Sequence, residues 1–568
     1  MALVAGLPLF QLRLMDGHDT LAYPAPAADL WLAIRAGVFY PRWLPNLNGG
    51  YGQPYFLFRP PVFYYLTIPF RALGSSVAGA ESFAIFALIV MAGIGAYGLA
   101  ADHFGVRAGL LSAAATLFAP YFLAVLYVRH NLHDLAAFAF IPLTFWALSR
   151  AGPGMRRGIL AGGAIAAALL ILSSNTVALI VYPALIGFAA WLWIAERDGP
   201  TLARRLGMLA LGVGLSAFFW LPALAEGRFT HLAETQVGYY DYRDHFVYLD
   251  QLLVSAWGYG YSYPGRADGM SFAVGGVQLA LSVAALAALR GLDRGRRWLV
   301  AAFLIALAVA MLMTTPPSRP LWALVPILHN VQFPWRFLSL IVPCCGFLAG
   351  VATALPDTLL PLRGSQIRGR EGLGVRLLHA LSTRPALTNA WTLLILGGLI
   401  APALPHIAPR RFLDAWGPEM SDSVVAIQSS IVTGTINPIW SGSGSRPTPD
   451  APVWLADGAG RLIVTAQQPG RLAFDAEITE EARLLAQVSY FPGWRLWTDG
   501  VERPVEVAEP VGNITFTLES GMHHVRLEFR NTPVRWVGDG ISAASLIALT
   551  AFLIRGRFRS RWSMRLEG

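Results

Sequence analysis

Long apolar runs punctuate the chain near residues 81–101, 106–128, 134–149, 158–173, 177–195, 205–225, 271–289, 298–314, 337–355, 387–405 and 535–554. A helix needs about 20 such residues to cross roughly 30 Å of hydrocarbon, where the backbone must satisfy its own hydrogen bonds. A further run from Ala2 to Met15 brings the expected number of spans to about twelve. It is short and ends beside Arg13, so it reads as a truncated span. It lacks the basic leader and small-residue cleavage site of a signal peptide. Composition agrees: 14% of residues are charged, against about 25% in a soluble domain. The chain is therefore read as a polytopic α-helical membrane protein, with the lipid bilayer as its first partner.

All 43 basic residues are arginine, and the net charge is +9. Arginine excess in a multispanning chain belongs in cytoplasmic loops, here 150–157, 197–205, 290–297, 363–384 and 555–565. The polar segments 16–80, 129–134, 226–270, 315–336 and 406–533 then share the opposite face, which is periplasmic or extracellular. No basic, aromatic-interleaved soluble module accompanies the charge, so nucleic acid is not an expected partner. The piece Pro61–Phe70 does not fit the parity as a span, and its prolines and tyrosines suit a helix along the interface. Cys344 and Cys345 are adjacent in an apolar run and make no framework disulfide.

The organisation expected is a membrane domain over 1–405 with an outer loop at 16–80, an extracytoplasmic domain over 406–533, and a last span with a basic tail over 534–568. From Val453 short alternating runs such as RLIVTA, RLAFDAEI, ITFTL and HHVRLEF, separated by turn residues, predict a β-sandwich. Tyr490, Trp494 and Trp497 fall within it and read as core rather than as a stacking surface. Ser421–Asp450 reads as an irregular lead-in, and the sequon at Asn513 as a chance match in a strand.

Four polar clusters carry the chemistry. Asp16, His18 and Asp19 follow the first run, where partial desolvation raises a carboxylate's proton affinity; the bland reading is a cap and a solvated loop. Arg35 and Arg42 in the same loop are candidate phosphate clamps or headgroup anchors. The second cluster, Arg129, His130, His133 and Asp134, is squeezed between two apolar runs, where charge needs a partner or ligand. The third, Tyr240, Asp241, Asp244 and His245, has the aromatic and acidic composition that grips sugar rings. The fourth places Arg336 at the entry of a span, within reach of a lipid phosphate.

The motifs GHDT at Gly17–Thr20, PRWLPNLNGGYGQPYFLFRPPVFYYL at Pro41–Leu66, VRHNLHDLAAFAFIPLTFWAL at Val128–Leu148 and QFPWRFLSL at Gln332–Leu340 resemble the YfhO-like and 6-pyruvoyl-tetrahydropterin-synthase-related bacterial membrane proteins. The carboxy-terminal YFPGWRLWTDGVERPVEV and GMHHVRLEFRNTP resemble the β-domain of the YfhO-like group. The wider likeness is to the GT-C glycosyltransferase superfamily. That resemblance implies a sugar moved from a polyprenyl-phosphate donor to an extracytoplasmic glycan, lipid or protein acceptor. It places the first-loop acid on Asp16 or Asp19, and donor-phosphate binding on Arg35, Arg42, Arg129 and Arg336. His18, His130, His133, Asp134, Tyr240, Asp241, Asp244 and His245 are then candidate substrate contacts. Asp19 with His133 is compatible with Mg2+ or Mn2+, though arginine alone would also serve. The family's second acidic motif departs here to Arg129-His130 with Asp134. The rival readings are a lipid-linked-sugar transporter and a non-catalytic polysaccharide-binding scaffold.

Overall fold

The computed structural model describes residues 1–354, 385–413, 422, 435–441 and 451–566. Among these, seven helices are long and apolar enough to cross a membrane: Val77–Phe104, Leu132–Arg150, Asn175–Glu196, Arg294–Thr314, Pro334–Ala354, Thr388–His406 and Pro533–Ile554. Two bent pairs, Val106–Leu117 with Pro120–Arg129 and Gly199–Leu215 with Ala217–Phe229, bring the count to nine. Arg157–Ile171 and Gly276–Ala288 are shorter apolar helices. The run Ala2–Met15 is not a span: it folds as the single turn Ala2–Ala5, the 3-10 turn Leu7–Gln11 and the two-residue strand β1 (Leu14–Met15). β1 pairs with β2 (Phe412–Leu413), which anchors the start of the first loop beyond the helix Thr388–His406.

The helices Val77–Phe104, Val106–Leu117, Leu132–Arg150 and Leu338–Val351 pack together as the most buried layer. Small residues permit the close approach, as expected where hydrophobicity gives helices no preference for each other over lipid. A Cβ on Gly350 would meet the Ala108 carbonyl at 2.7 Å, and the neighbouring turn at Gly346 lies directly on Thr116. Pro61–Phe70 falls largely within a helix, Val62–Ala72, that packs on Val77–Phe104 and buries Phe63 and Tyr64.

The break after Leu117 matters for function. Phe118 and Ala119 leave the helix, Pro120 restarts it, and the chain ends in a π turn over Val125–Arg129. His130 follows in the left-handed region at φ 48°, and the Asn131 side chain caps the next helix through the Asp134 amide. The sequence packs this reversal between two spans, so Arg129 and Asp134 lie side by side.

The carboxy-terminal strands are β3 (Val453–Gln468), β4 (Arg471–Ser489), β5 (Trp494–Thr498), β6 (Val501–Arg503), β7 (Glu506–Ala508), β8 (Asn513–Leu518) and β9 (Gly521–Phe529). They form one antiparallel sheet rather than two separate sandwich sheets. β3 lines one edge of β4, while β9 pairs with its first half, from Arg471 to Ile478, and β8 with its second, from Ala482 to Ser489. The long strand thus curls the sheet around Leu472, Phe474, Leu484, Ile514, Val525 and Leu527. Trp494 is core, and Asn513 is buried at 2% exposure, which leaves no room for a glycan.

This domain rests on the first loop. Trp43 meets Trp494 edge-on at 5.2 Å between ring centroids, Ser489 N donates to Tyr51 O at 2.8 Å, and Gln53 bonds Asn437. Beneath it, Arg535 and Glu226 form a buried ion pair at 2.8 Å, with residue exposures of 0% and 3%. Thr532 and the Pro492 carbonyl complete the network. Breaking a buried pair leaves an uncompensated charge and costs about 3–5 kcal/mol, whereas a half-exposed pair contributes about 1 kcal/mol or less. Glu226→Gln is therefore expected to lower the thermal unfolding midpoint of the solubilised protein clearly, and Asp539→Asn, at the half-exposed Arg42 pair, only slightly. Equal shifts would contradict this ranking.

Candidate functional site

The first loop is stitched to the reversal between spans by its own backbone. His18 N donates to the Val128 carbonyl at 3.1 Å and Asp19 N to the Arg129 carbonyl at 3.0 Å. Gly17 permits the approach: a Cβ there would stand 2.6 Å from His130 Cβ and 3.0 Å from the Val128 oxygen. Such separations are far inside contact distance, so the glycine of GHDT is a packing requirement. Thr20 closes the turn, accepting from Gly17 N and donating to the Met15 carbonyl.

Asp19 is only half-buried, and one of its carboxylate oxygens accepts from Asn131 Nδ2 at 2.7 Å. Arg129 and Arg336 both lie within its electrostatic reach. Arg129 is 4% exposed and pairs with Asp134 at 2.9 Å; its guanidinium stacks on Trp335 at 4.6 Å and its Nη1 also donates to Tyr121 Oη. Arg336 donates through Nη1 to the Val331 carbonyl and to Gln332 Oε1. Its Nε and the Trp335 Nε1 are buried donors with no hydrogen-bond partner among the described residues. Buried donors of this kind are rare without a ligand or water to meet them. Two guanidiniums, a half-open carboxylate and unmet donors thus share one end of the helical bundle.

Several predicted residues take other duties. Asp16 pairs with the exposed Arg411 at 2.8 Å and is held there by β1–β2 pairing. Arg35 stands exposed in the last turn of Pro24–Arg35. Arg42 is spent on Asn531 and Asp539, over the face of Tyr40. Asp134 is 1% exposed, ion-paired with Arg129 and bonded by Ser174 Oγ, which suits it to orient the arginine. His130 forms the left-handed corner, its ring against the Leu126 carbonyl. His133 Nδ1 faces Tyr23 Oη at 3.3 Å, and that oxygen also accepts from Leu132 N. Asp241 pairs with Arg243, and Asp244 is exposed. His245 is 2% exposed, with both ring nitrogens engaged by Ser262 and the Tyr239 carbonyl. Among the described residues no group of three or more His, Cys, Asp or Glu is placed to hold a metal. Asp19 accepts from Asn131, and His133 faces Tyr23.

Residues not singled out from sequence complete the site. Tyr261 stacks on His18 at 4.3 Å, Tyr239 bridges Tyr261 to Phe333, and Phe333 stacks on Trp335 at 4.7 Å. An aromatic wall thus runs from His18 to Arg129. Arg59, whose charge reaches His133 and Tyr64, also lies nearby. Only the RPP that follows the aromatic run marked it. Asp29, buried beneath the loop, accepts from Asn46 twice, and burial pushes its carboxyl up to about 7.

The fold and site define a polytopic helical membrane protein with a polar, arginine-bearing cluster at one end of its bundle. The family model described as 6-pyruvoyl-tetrahydropterin synthase related domain, membrane protein, matches residues 56–358, a little over half of the chain, and the chain belongs to that family. No curated protein matches the sequence. Among solved structures, the chain is similar to ArnT from Cupriavidus metallidurans bound to undecaprenyl phosphate, at 13% identity and TM-score 0.43, with 76% of each chain covered. It is also similar to the arabinofuranosyltransferase AftD from Mycobacteria, at 20% identity and TM-score 0.43, covering 73% of this chain and 27% of that one. A third is the archaeal oligosaccharyltransferase AglB from Archaeoglobus fulgidus, in complex with an inhibitory peptide and a dolichol-phosphate, at 14% identity and TM-score 0.42 (75% and 55% covered). The chain thus spans about a quarter of the mycobacterial enzyme and about half of the archaeal one.

Two measurements test the geometry. Gly17→Ala is expected to free the loop, so that the His18 and Asp19 amides exchange hydrogen at least about tenfold faster, a loss of about 1.4 kcal/mol in local stability. Burial also holds the His130 ring down to about 4, below the ordinary 6.5. The unfolded chain then binds more protons between these values, so this residue's contribution is intact above pH 6.5 and falls as pH drops toward 4. The full loss is about 3 kcal/mol. Denaturant titrations across that window should show the slope, and His130→Asn should reduce it by this residue's share.

Proposed function

We propose that this protein is a glycosyltransferase of the GT-C kind, taking its sugar from a polyprenyl-phosphate donor at the extracytoplasmic side of the bacterial inner membrane. The observation that carries the reading is the half-open carboxylate of Asp19 facing a buried arginine pair, Arg129 and Arg336, at one end of the spans. A phosphate at the head of a lipid needs cationic donors near hydrocarbon, and a direct displacement needs a base beside them. The acceptor hydroxyl oxygen bonds to the anomeric carbon as the carbon–oxygen bond to phosphate breaks. Its proton passes to Asp19, and the departing polyprenyl phosphate takes the bonding pair, its charge met by Arg129 and Arg336. Asp134, Ser174 and Trp335 hold Arg129 in place and are positioning residues. The acceptor is a glycan, lipid or protein in this reading.

The test uses the full chain in lipid nanodiscs with radiolabelled polyprenyl-phosphate sugars and membrane extracts as acceptors. Asp19→Asn is expected to lower transfer by about 10²–10⁴ at unchanged thermal stability, while Asp16→Asn stays near wild type. Transfer undiminished in Asp19→Asn would remove that carboxylate from the mechanism. A loss confined to Asp16→Asn would move the base to the other acid.

A further inference from the structure

Four tyrosines stand partly exposed beside the arginine cluster: Tyr239 at 45%, Tyr240 at 38%, Tyr261 at 48% and Tyr263 at 48%. They come from two loops far apart in sequence terms from the acid. Tyr239 meets Tyr240 at 5.5 Å and Tyr261 at 6.3 Å, and both Tyr239 and Tyr240 rest on Phe333. Soluble surfaces seldom leave large rings clustered in this way unless something docks on them.

The platform is also built to be rigid. Gly260 N donates to the Gly269 carbonyl and Gly269 N to the Tyr261 carbonyl, each at 2.8 Å, and Tyr263 N donates to Asp268 Oδ1 at 2.9 Å. On the other side, buried His245 holds Ser262 and the Tyr239 carbonyl together, tying one loop to the other. Rings fixed before binding lose little entropy when a ligand arrives. At its inner end Tyr261 stacks on His18, the residue next to Asp19.

We propose that these two loops form a binding platform for an uncharged glycan, and that this glycan is the acceptor of the reaction proposed above, on which the acceptor assignment rests. Tyrosine offers an apolar face for a sugar ring and a hydroxyl at its rim. The local charge selects against an anionic ligand. Residues 238–268 carry four aspartates (Asp241, Asp244, Asp250 and Asp268) and two arginines (Arg243 and Arg266), a net charge of −2 with His245 neutral. Burial lowers the His245 proton affinity, in keeping with that count. The contact from Tyr261 through His18 leads directly to the proposed base, so a chain end laid on the rings lies beside it.

The experiment titrates the full chain in nanodiscs with uncharged α- and β-linked glucose, mannose and galactose hexasaccharides and, as comparison, a sulfated hexasaccharide, reading saturation transfer from protein to sugar protons. At least one uncharged hexasaccharide is expected to bind, and to bind at least about tenfold more tightly than the sulfated one. Tyr239→Ala and Tyr261→Ala should each weaken it about tenfold or more, whereas Tyr239→Phe and Tyr261→Phe should keep most of the affinity. No binding by any uncharged sugar, equal or tighter binding of the sulfated one, or binding indifferent to the alanine variants would overturn the platform. So would quenching of these tyrosines by headgroup spin-labelled lipid, which would make them a bilayer anchor. Binding that survives in a protein with no transfer activity would instead remove the transferase reading and leave the platform standing.

Discussion

The ion pair of Arg129 and Asp134 is the constraint on which the rest is arranged. Two charges at the junction of two spans are costly unless each is matched, because desolvation of either ion costs several kcal/mol. The pair is matched: the arginine has Asp134, Tyr121 and the face of Trp335, and the aspartate has Arg129 and Ser174. Trp335 and Ser174 come from two further segments of chain, so placing the pair fixes where they meet. The proline restart at Pro120, the π turn and the left-handed His130 are the backbone's answer to that demand. π turns and left-handed non-glycine residues recur where a functional group must be aimed rather than merely packed.

A first loop of more than fifty residues is helical over only part of its length, and its irregular stretches pay conformational entropy to stay in one place. It is held from both ends and from above. The amides of His18 and Asp19 donate to carbonyls of the second cluster, Asp29 anchors Asn46, the curled sheet grips Trp43 and Tyr51, and Asn437 ahead of the sheet bonds Gln53. The sheet in turn is fastened to the bundle through Glu226 and Arg535. The carboxy-terminal domain therefore acts on the site through the loop, as a brace.

The apolar runs were legible because hydrocarbon thickness imposes a length that composition alone reveals, and eleven of the twelve expected runs correspond to apolar helices or bent pairs. Ala2–Met15 failed because its hydrophobicity serves packing and a strand, not a crossing. Strands from Val453 were legible by alternation, but the curl along β4 was not, since pairing partners are chosen by tertiary contact. Within the site, charge density marked Asp19, Arg129 and Arg336. It could not separate them from Arg42 or Asp241, whose partners Asp539 and Arg243 are visible only in space. Tyr261 carried no signal at all, because a single tyrosine in a loop of Gly and Tyr residues gains meaning only from His18 beneath it.

Asp16 and Asp19 show how little spacing decides and how much surroundings do. Both follow the same apolar run, three residues apart, and both bear a carboxylate near the membrane domain. Asp16 follows β1 directly, so strand pairing commits its amide and its side chain to Arg411, whose own side chain is 70% exposed. An ion pair with one partner this exposed is screened by solvent and contributes little. Asp19 lies past the Gly17 turn, against the Arg129 carbonyl, where one oxygen is taken by a neutral amide and the arginines around it are themselves buried. Charge there is weakly screened, so whatever anion approaches the two guanidiniums is felt directly by this carboxylate. An anion meeting the two guanidiniums and the Asp19 carboxylate are thus coupled through Arg129, and only one of the two aspartates sits where that coupling operates.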